Sequence, residues 1–486
     1  MTYTKVYTAV TVDTQKNATR KVMSNSTVSS INTVLNKTLM TLHLASKNRI
    51  TDDMSEDDNR VKRLSVKEKM LSYNPMSHCQ PHTLHYAMKS LGYLPTPVLE
   101  GLIAYLKGPH SKQYRHANAH LRLILAVNNY LKTPLELTPM PDLRERFTAD
   151  AVAMQAPRVW HQAGHHLLSN IKPFIKKGEN RVNWEDKTIA NANDGDMTIR
   201  CYQANTHKIG YRKKQACNPD KTAMLFFHGG GFCIGDIDTH HEFCHAVCEQ
   251  TGWPVISVDY RLAPECPAPA ALMDCIAAYA WLTEHCHTFG ALPSRIVLAG
   301  DSAGGGLSTL IAQQLTAPNE NAWSDLGVDG QNMFDLIQRL PTPLAQMPLY
   351  PVTDIETDYP SWELYGEGLL LDHADVAVFD AACLENSPLP RLHILNSPML
   401  GDNSKVCPTY IVAAELDVLR DEAFAYAKQL KSYKVPAETR TVLGAPHGFI
   451  HFMSVHQGLG EETKAIINGF AHFAHDVIRT QSQLAA

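Results

Sequence analysis

Runs of apolar residues alternate with segments of helical periodicity along this chain from about residue 180 onward. Short runs without polar residues, such as 223–227 and 296–299, are typical of buried strands. Longer segments between them, such as 307–315, repeat apolar residues at the spacing typical of a helix. Strands that alternate with helices predict an α/β fold, in which a mostly parallel central sheet is flanked by helices on both faces.

Three segments depart from this alternation. Residues 182–204 alternate in polarity around an Asp-Gly pair, which predicts a β-hairpin. Residues 317–335 are polar, and we expect them to form an insertion on the surface. Residues 1–140 are expected to form a mostly helical N-terminal extension, with amphipathic helices at 34–45 and 116–131 and a solvated linker at 51–63.

The composition limits the classes of function. The chain has 486 residues, of which 44% are hydrophobic and 19% are charged, as in ordinary globular proteins. A formal net charge of −5 gives no reason to expect a nucleic-acid partner. No apolar run reaches the roughly 18 residues of a membrane-spanning helix, and the N-terminus lacks the apolar core of a secretory signal. The 11 cysteines, an odd number, then favour reduced thiols in a cytoplasmic protein.

The candidate chemistry begins at the sequence IVLAGDSAGGG, residues 296–306. Ser302 lies between glycines where a predicted strand meets a predicted helix, which is the context of the Gly-x-Ser-x-Gly nucleophile turn. Asp301 and Ala303 flank it, and the backbone N–H of Ala303 at the helix start would face developing negative charge. We therefore interpret Ser302 as a nucleophile rather than as a simple turn residue.

A second glycine-rich segment, FFHGGGF, follows another predicted strand and contains His228. Consecutive glycines allow the backbone to turn its N–H groups toward an anion. We predict an oxyanion hole formed by Gly229, Gly230 and Ala303. We expect His228 and Gly231 to support this loop rather than to take part in proton transfer.

A serine nucleophile needs a base, and the base needs a carboxylate to orient it. His447 stands in a Pro- and Gly-flanked loop after a predicted strand, whereas the competing His451 falls where a helical pattern resumes. Asp417 directly follows another predicted strand, in the chain order Ser, Asp, His that such sheets use. Acidic neighbours within the strand or at the start of the next helix are less favoured alternatives: Glu415, Asp421 and Glu422.

A cluster of histidines and cysteines offers a different chemistry. His241, Cys244, His245 and Cys248 would share one face of a helix, and such side chains could bind a metal. Small and apolar residues occupy the same segment, which favours a helix that packs on the sheet. We therefore expect a structural role for the cluster and no metal site.

Five motifs, HGGGF, VDYRLAPE, GDSAGGG, LDVLRDE and PHGF, occur in this order along the α/β part of the chain. Together they resemble the hormone-sensitive-lipase-like group of α/β-hydrolases, which includes the bacterial family IV esterases and lipases. The resemblance extends from about residue 194 to the C-terminal helix and leaves residues 1–140 uncovered. The family more often has a proline after the acid, where this chain has Val418.

The resemblance implies a carboxylic-ester hydrolase that acts on small acyl esters, with short to medium acyl chains expected, and that needs no cofactor. It also implies that Tyr260, Arg261 and Glu265 support the active-site loops. Residues 141–486 would form the catalytic domain, with a helical cap built near 141–180 and 360–395 and partly from the N-terminal extension.

Two other functions remain as alternatives at this point. An amidase or deacetylase of acylated amines would use the same machinery. A non-catalytic small-molecule-binding protein of the same fold is less favoured, because Ser302, Asp417 and His447 are all present. The oligomeric state, monomer or dimer, is not determined by the sequence.

Overall fold

The computed structural model describes residues 81–106, 114–160, 181–205 and 220–484. The helix expected at 34–45, the linker expected at 51–63 and the cap segment 161–180 lie outside the described residues.

The described residues form one eight-stranded sheet, with the strand order β1-β2-β4-β3-β5-β6-β7-β8. The first two strands pair antiparallel to each other, β2 pairs antiparallel to β4, and the remaining pairs are parallel. The strands are β1 (Val182–Ala190), β2 (Asp196–Ala204), β3 (Ala223–Phe227), β4 (Val255–Val258), β5 (Ile296–Asp301), β6 (Ala345–Leu349), β7 (Thr409–Leu416) and β8 (Ala437–Pro446).

Helices cover both faces of this sheet. In the described residues the α-helices are α1 (Pro81–Leu91), α2 (Thr96–Tyr105), α3 (Ala119–Leu131), α4 (Met140–Met154), α5 (His241–Thr251), α6 (Ala270–His285), α7 (Ala303–Thr316), α8 (Glu320–Ser324), α9 (Gly327–Ile337), α10 (Pro360–Tyr365), α11 (His373–Leu384), α12 (Arg420–Ser432) and α13 (Gln457–Leu484). The predicted fold class is confirmed, and so is the hairpin, whose turn holds Asp194 at a φ of 59°.

The core lies in two layers, one on each face of the sheet. Met224 and Phe226 of β3 point into one layer, and Leu225 and Phe227 point into the other, as the two-residue period of a strand requires. The first layer is completed by side chains of α1, α3, α5 and α13, and the second by side chains of α6, α7, α9 and α12. Helices α1 and α3 thus share a core with the sheet, although both lie before residue 140, where the catalytic domain was expected to begin.

The segment 317–335 is also more integrated than its polar composition suggested. It forms α8 and most of α9, and Trp323 and Phe334 are buried in the second core layer. The indole N–H of Trp323 donates to Gln314 Oε1 at 3.0 Å. The segment lies at the surface as expected, with most of its residues exposed, but a few large apolar residues anchor it in the core.

Two pieces of chain meet beside the carboxyl ends of the strands. Helix α4 contributes Leu143 and Phe147, and α11 contributes Phe379, to one small apolar cluster that also holds Ile234. Farther along, Lys132 at the end of α3 contacts Asp372 Oδ2 at 2.6 Å and the carboxylate of Asp375.

None of the helices within the described residues is long and apolar enough to cross a bilayer.

We expect Lys132→Met to lower the free energy of unfolding by about 1–3 kcal/mol, because it leaves Asp375 largely buried without its cation. Urea or thermal unfolding measures the loss. Lys428→Met is the matched control: Lys428 is exposed, and no ion pair to it is found among the described residues, so we expect a change within about 0.5 kcal/mol. Equal stability of the two variants would contradict a stabilising role for Lys132.

Candidate active site

Ser302 occupies a strained turn between β5 and α7. Its φ is 54° and its ψ is −120°, in a region that side-chain-bearing residues rarely adopt. Two backbone contacts hold it there: the Ser302 N–H donates to the Leu349 carbonyl at 2.9 Å, and its own carbonyl accepts from the Val352 N–H at 3.1 Å. Gly304 is required because a Cβ at that position would collide with the carbonyl oxygen of Phe227.

The three residues proposed for nucleophile, base and acid meet at the carboxyl edge of the sheet. His447 Nε2 lies 2.8 Å from Ser302 Oγ, and His447 Nδ1 lies 2.8 Å from Asp417 Oδ2. Asp417 and His447 are each the first residue after a strand, β7 and β8 respectively. The other oxygen of Asp417 accepts the Leu419 N–H at 2.9 Å, which fixes the carboxylate.

The alternative acids contact other groups. Glu415 Oε2 accepts the Gly444 N–H at 2.6 Å and lies 3.0 Å from His116 Nε2. Asp421 is paired with Arg420 at 2.7 Å. Glu422 accepts the Thr353 N–H at 2.8 Å, and burial raises the pKa of its carboxyl group. The alternative base, His451, lies in a 3-10 turn (Phe449–Phe452), where its ring packs edge-on against His240.

The glycine loop after β3 corrects one sequence expectation. The N–H of Gly229 donates to Asp301 Oδ1 at 2.8 Å, so it is already engaged and unavailable to an oxyanion. The next two residues have positive φ values, 123° for Gly230 and 57° for Gly231. No acceptor for the N–H groups of Gly230, Gly231 and Ala303 is found within the part of the chain that the structure describes.

His228 and Tyr260 support this loop by packing and hydrogen bonding. Their rings stack with centroids 4.2 Å apart, and the Tyr260 hydroxyl donates to the His228 carbonyl at 2.6 Å. His228 Nδ1 lies 2.8 Å from the Gly229 carbonyl and donates to it. Burial, with the charge of His240 in second place, lowers the pKa of His228 to about 4, so this ring is neutral near pH 7.

Asp301 lies at the junction of the glycine loop and the serine turn. It is 2% exposed. Besides the Gly229 N–H, its carboxylate lies 2.9 Å from His240 Nε2 and 3.4 Å from the hydroxyl of Tyr350. Burial alone would raise the pKa of Asp301, but the neighbouring His240 outweighs it, and the pKa is lowered to about 2. Asp301 is therefore ionised and connects both halves of the site.

Known proteins share this sequence and this fold. The model of the family described as alpha/beta hydrolase fold matches residues 224–451. "Lipase 2" of Moraxella sp. (strain TA144) is 56% identical over 409 residues, covering 83% of this chain and 92% of that protein. "Carboxylic ester hydrolase LipN" of Mycobacterium tuberculosis is 37% identical over 254 residues, 52% of this chain and 63% of that one. An esterase structure from Pyrobaculum calidifontis has a TM-score of 0.55 at 25% identity, covering 74% of this chain and 99% of that chain.

The chain belongs to the α/β-hydrolase family. The resemblance to the hormone-sensitive-lipase-like group is confirmed, and the expected enzyme class, a serine carboxylester hydrolase, agrees with these relatives. A second solved structure, an ester hydrolase from the metagenome of Lake Arreo in complex with a bipyridine phosphonate derivative, has a TM-score of 0.56 at 26% identity. It covers 75% of this chain and 99% of that chain.

The hydrolase supports its glycine loop with an arginine that the sequence patterns did not single out. Arg144 of α4 donates to the carbonyls of Cys233 and Ala263, each at 2.7 Å. It also forms a bidentate ion pair with Glu265, in which its two terminal nitrogens lie 3.0 and 2.6 Å from the two carboxylate oxygens. The expected support by Glu265 is thus exerted through Arg144, which stands 121 residues away along the chain. Arg261 supports a neighbouring loop by pairing with Asp274 at 2.7 Å.

The histidine–cysteine cluster of α5 is not arranged as a metal site. Both ring nitrogens of His241 face protein groups, the Tyr202 hydroxyl and the Val159 carbonyl, each at 2.9 Å. A different group in the described part of the chain, His240, Asp301 and His451, brings its potential ligand atoms within 4.8 Å of one another. Because Asp301 Oδ1 already accepts the Gly229 N–H and lies 2.9 Å from His240 Nε2, we assign this carboxylate to contacts within the protein rather than to a metal.

We expect Gly230→Ala to lower kcat/KM of the hydrolase by about 100-fold or more, measured with 4-nitrophenyl butyrate. A Cβ on Gly230 would collide with the Ile234 carbonyl, so the loop that carries the free N–H groups must shift. Gly101→Ala is the control, since a Cβ there meets nothing within 4 Å. A Gly230→Ala variant with the activity of the Gly101→Ala variant would show that the loop geometry is unimportant.

Proposed function

We propose that this hydrolase cleaves carboxylic esters through Ser302 as nucleophile, His447 as general base and then acid, and Asp417 as the carboxylate that orients the imidazole. The observation that carries the proposal is the continuous line of contacts from Asp417 through His447 to Ser302, with both distances 2.8 Å. These are the hydrogen-bond distances at which a base can take the proton of its nucleophile.

The reaction proceeds through these contacts in two halves. Ser302 Oγ attacks the ester carbonyl carbon while its proton moves to His447 Nε2. The tetrahedral intermediate then expels the alcohol, which takes that proton and leaves an acyl group on Ser302. Water next attacks the acyl carbon and gives a proton to His447, and the ester bond to Ser302 breaks as Oγ takes the proton back, which releases the acid.

The oxyanion hole is best supplied by Gly230, Gly231 and Ala303. Their N–H groups lack acceptors among the described residues, whereas that of Gly229 is held by Asp301. Gly229 would therefore act through position: its bond to Asp301 fixes the start of the loop that presents the next two N–H groups. N–H groups fixed in advance stabilise the developing charge without reorganisation during the reaction.

The cap would be formed by α4, α11 and part of the N-terminal helices. Gly231 touches the ring of Phe379, since a Cβ on that glycine would collide with it. Phe379 is only partly buried, and it belongs to the apolar cluster shared by α4 and α11. Because this apolar cluster lies against the glycine loop, we expect the acyl group of the ester to be small, with a short to medium chain. A relative from Pseudomonas putida, 34% identical over 234 residues, is named "Ethyl acetate hydrolase".

We expect Ser302→Ala to fold normally and to lose roughly 10³- to 10⁶-fold in kcat, because the three residues act as a unit. A serine-directed organophosphate should label Ser302 alone, as mass spectrometry of the digested protein can show. Ser308→Ala is the control, because this buried serine lies two turns along α7 and donates to the Gly305 carbonyl. Normal turnover by Ser302→Ala would refute the proposal.

We also expect a strong preference for esters over amides. Matched 4-nitrophenyl esters and 4-nitroanilides of C2 to C12 acids separate the ester hydrolase from the amidase or deacetylase alternative. We expect turnover to be highest for C2 to C8 acids, because longer acyl chains would clash with the apolar cluster that contains Phe379. Faster turnover of the anilides would favour the alternative, and a maximum at C12 would contradict the expected chain length.

A further inference from the structure

His240 is fully buried behind the serine turn, and the mechanism above gives it no task. Its Nε2 lies 2.9 Å from Asp301 Oδ1, and its Nδ1 lies 2.8 Å from Thr239 Oγ1. The ring also packs against Phe226 and, edge-on, against His451, with ring centroids 5.7 and 4.7 Å away. A polar side chain that is buried this completely normally has hydrogen-bonding or charged partners that explain its position.

The hydrogen bonds of Thr239 determine which way the bond to His240 runs. The Thr239 hydroxyl donates its single proton to the Asp236 carbonyl at 2.6 Å, and its oxygen accepts the Asp236 N–H at 3.1 Å. With that proton used, Thr239 Oγ1 can only accept from His240, so Nδ1 carries a proton. Nε2 faces the Asp301 carboxylate at 2.9 Å as an ion-pair contact rather than an aligned hydrogen bond, and a lone pair on Nε2 would be repelled there, so Nε2 carries a proton as well.

A ring that is protonated on both nitrogens is an imidazolium cation. We propose that His240 is a buried imidazolium that neutralises Asp301, and that it thereby keeps this carboxylate from opposing the negative charge that forms in the oxyanion hole. The inference rests on the proposed function, since it assigns His240 a positioning and electrostatic role in the same site.

The position of Asp301 makes such compensation necessary. It is the residue before Ser302, and its partner Gly229 is the residue before Gly230, so the carboxylate lies just behind the proposed oxyanion donors. Charges interact strongly where water is excluded, and an uncompensated carboxylate there would raise the energy of the tetrahedral intermediate. The other titratable groups facing His240 do not supply a cation, because burial lowers the pKa of His228 to about 4 and that of His451 to about 3.

The alternative is that His240 only fills space behind the turn. The two possibilities predict different results once the carboxylate is made neutral. Asp301→Asn keeps an oxygen that can accept the Gly229 N–H but removes the charge. If His240 compensates charge, its loss should lower kcat in the wild-type background and change kcat little in the Asp301→Asn background.

We therefore expect His240→Phe to lower kcat by about 10- to 100-fold, with KM changed by less than about threefold, on 4-nitrophenyl butyrate. In the Asp301→Asn background the same substitution should cost less than about threefold. Affinity for a boronic acid, which forms an anionic tetrahedral adduct with the serine, should fall in parallel with kcat. Equal losses of kcat in the two backgrounds, or a wild-type kcat for His240→Phe, would overturn the inference.

His245→Phe is the matched control, since His245 is a buried histidine on α5 whose ring nitrogens have no hydrogen-bond partner among the described residues. It should retain wild-type kcat. His240→Gln, which keeps one donor and loses the charge, replaces His240→Phe if the latter fails to fold. Its kcat should also fall, and the fall should again shrink in the Asp301→Asn background.

The charge of His240 can also be observed directly in the wild-type protein. Nitrogen-15 spectra of histidine-labelled hydrolase, assigned by difference from His240→Gln, should show two protonated ring nitrogens at pH 7. A neutral ring would overturn the inference whatever the kinetics.

If instead Ser302→Ala retained activity, the proposed function itself would fail. An inactive Ser302→Ala variant beside a fully active His240→Phe variant would remove this inference alone.

Discussion

The left-handed backbone at Ser302 is the constraint on which the site depends. Such a conformation costs on the order of 1–3 kcal/mol and persists only where the surroundings hold it in place. Here the turn is held by its bonds to Leu349 and Val352 and by the close packing of Gly304 on Phe227. Those partners are in β3, at the end of β6 or in the loop just after it, so the sheet and its edge fix the direction of the serine hydroxyl.

The same sheet explains why the positions of serine, acid and base could be predicted from sequence. In a parallel sheet the carboxyl ends of all strands meet at one edge, so a polar residue directly after a buried strand is placed there by topology. Ser302, Asp417 and His447 each follow a strand end in this way. Local patterns that identify strand ends therefore sufficed to bring together residues as much as 145 positions apart along the chain.

Other features depend on long-range contacts that leave no local signature. Gly229 and Gly230 look equivalent in the sequence, and only the bond from Gly229 to Asp301, 72 residues away, separates their roles. Arg144 lies in an amphipathic helix whose pattern says nothing about its partner Glu265. Trp323 lies in a polar segment, yet it is buried in the core layer with side chains of α7 and the neighbouring helices. In each case the partner, not the residue type, decides the role.

The site contains two histidine–carboxylate pairs, and their surroundings suit them to opposite tasks. In the pair of His447 and Asp417, the second ring nitrogen faces Ser302 and the histidine side chain is 12% exposed, so that nitrogen can accept and return a proton. In the pair of His240 and Asp301, the second ring nitrogen is held by Thr239 and the histidine side chain is wholly buried. A pair with no free nitrogen cannot transfer protons, but it can hold a fixed balance of charge. In the mechanism we propose, one pair moves a proton, and the other keeps the field around the oxyanion constant.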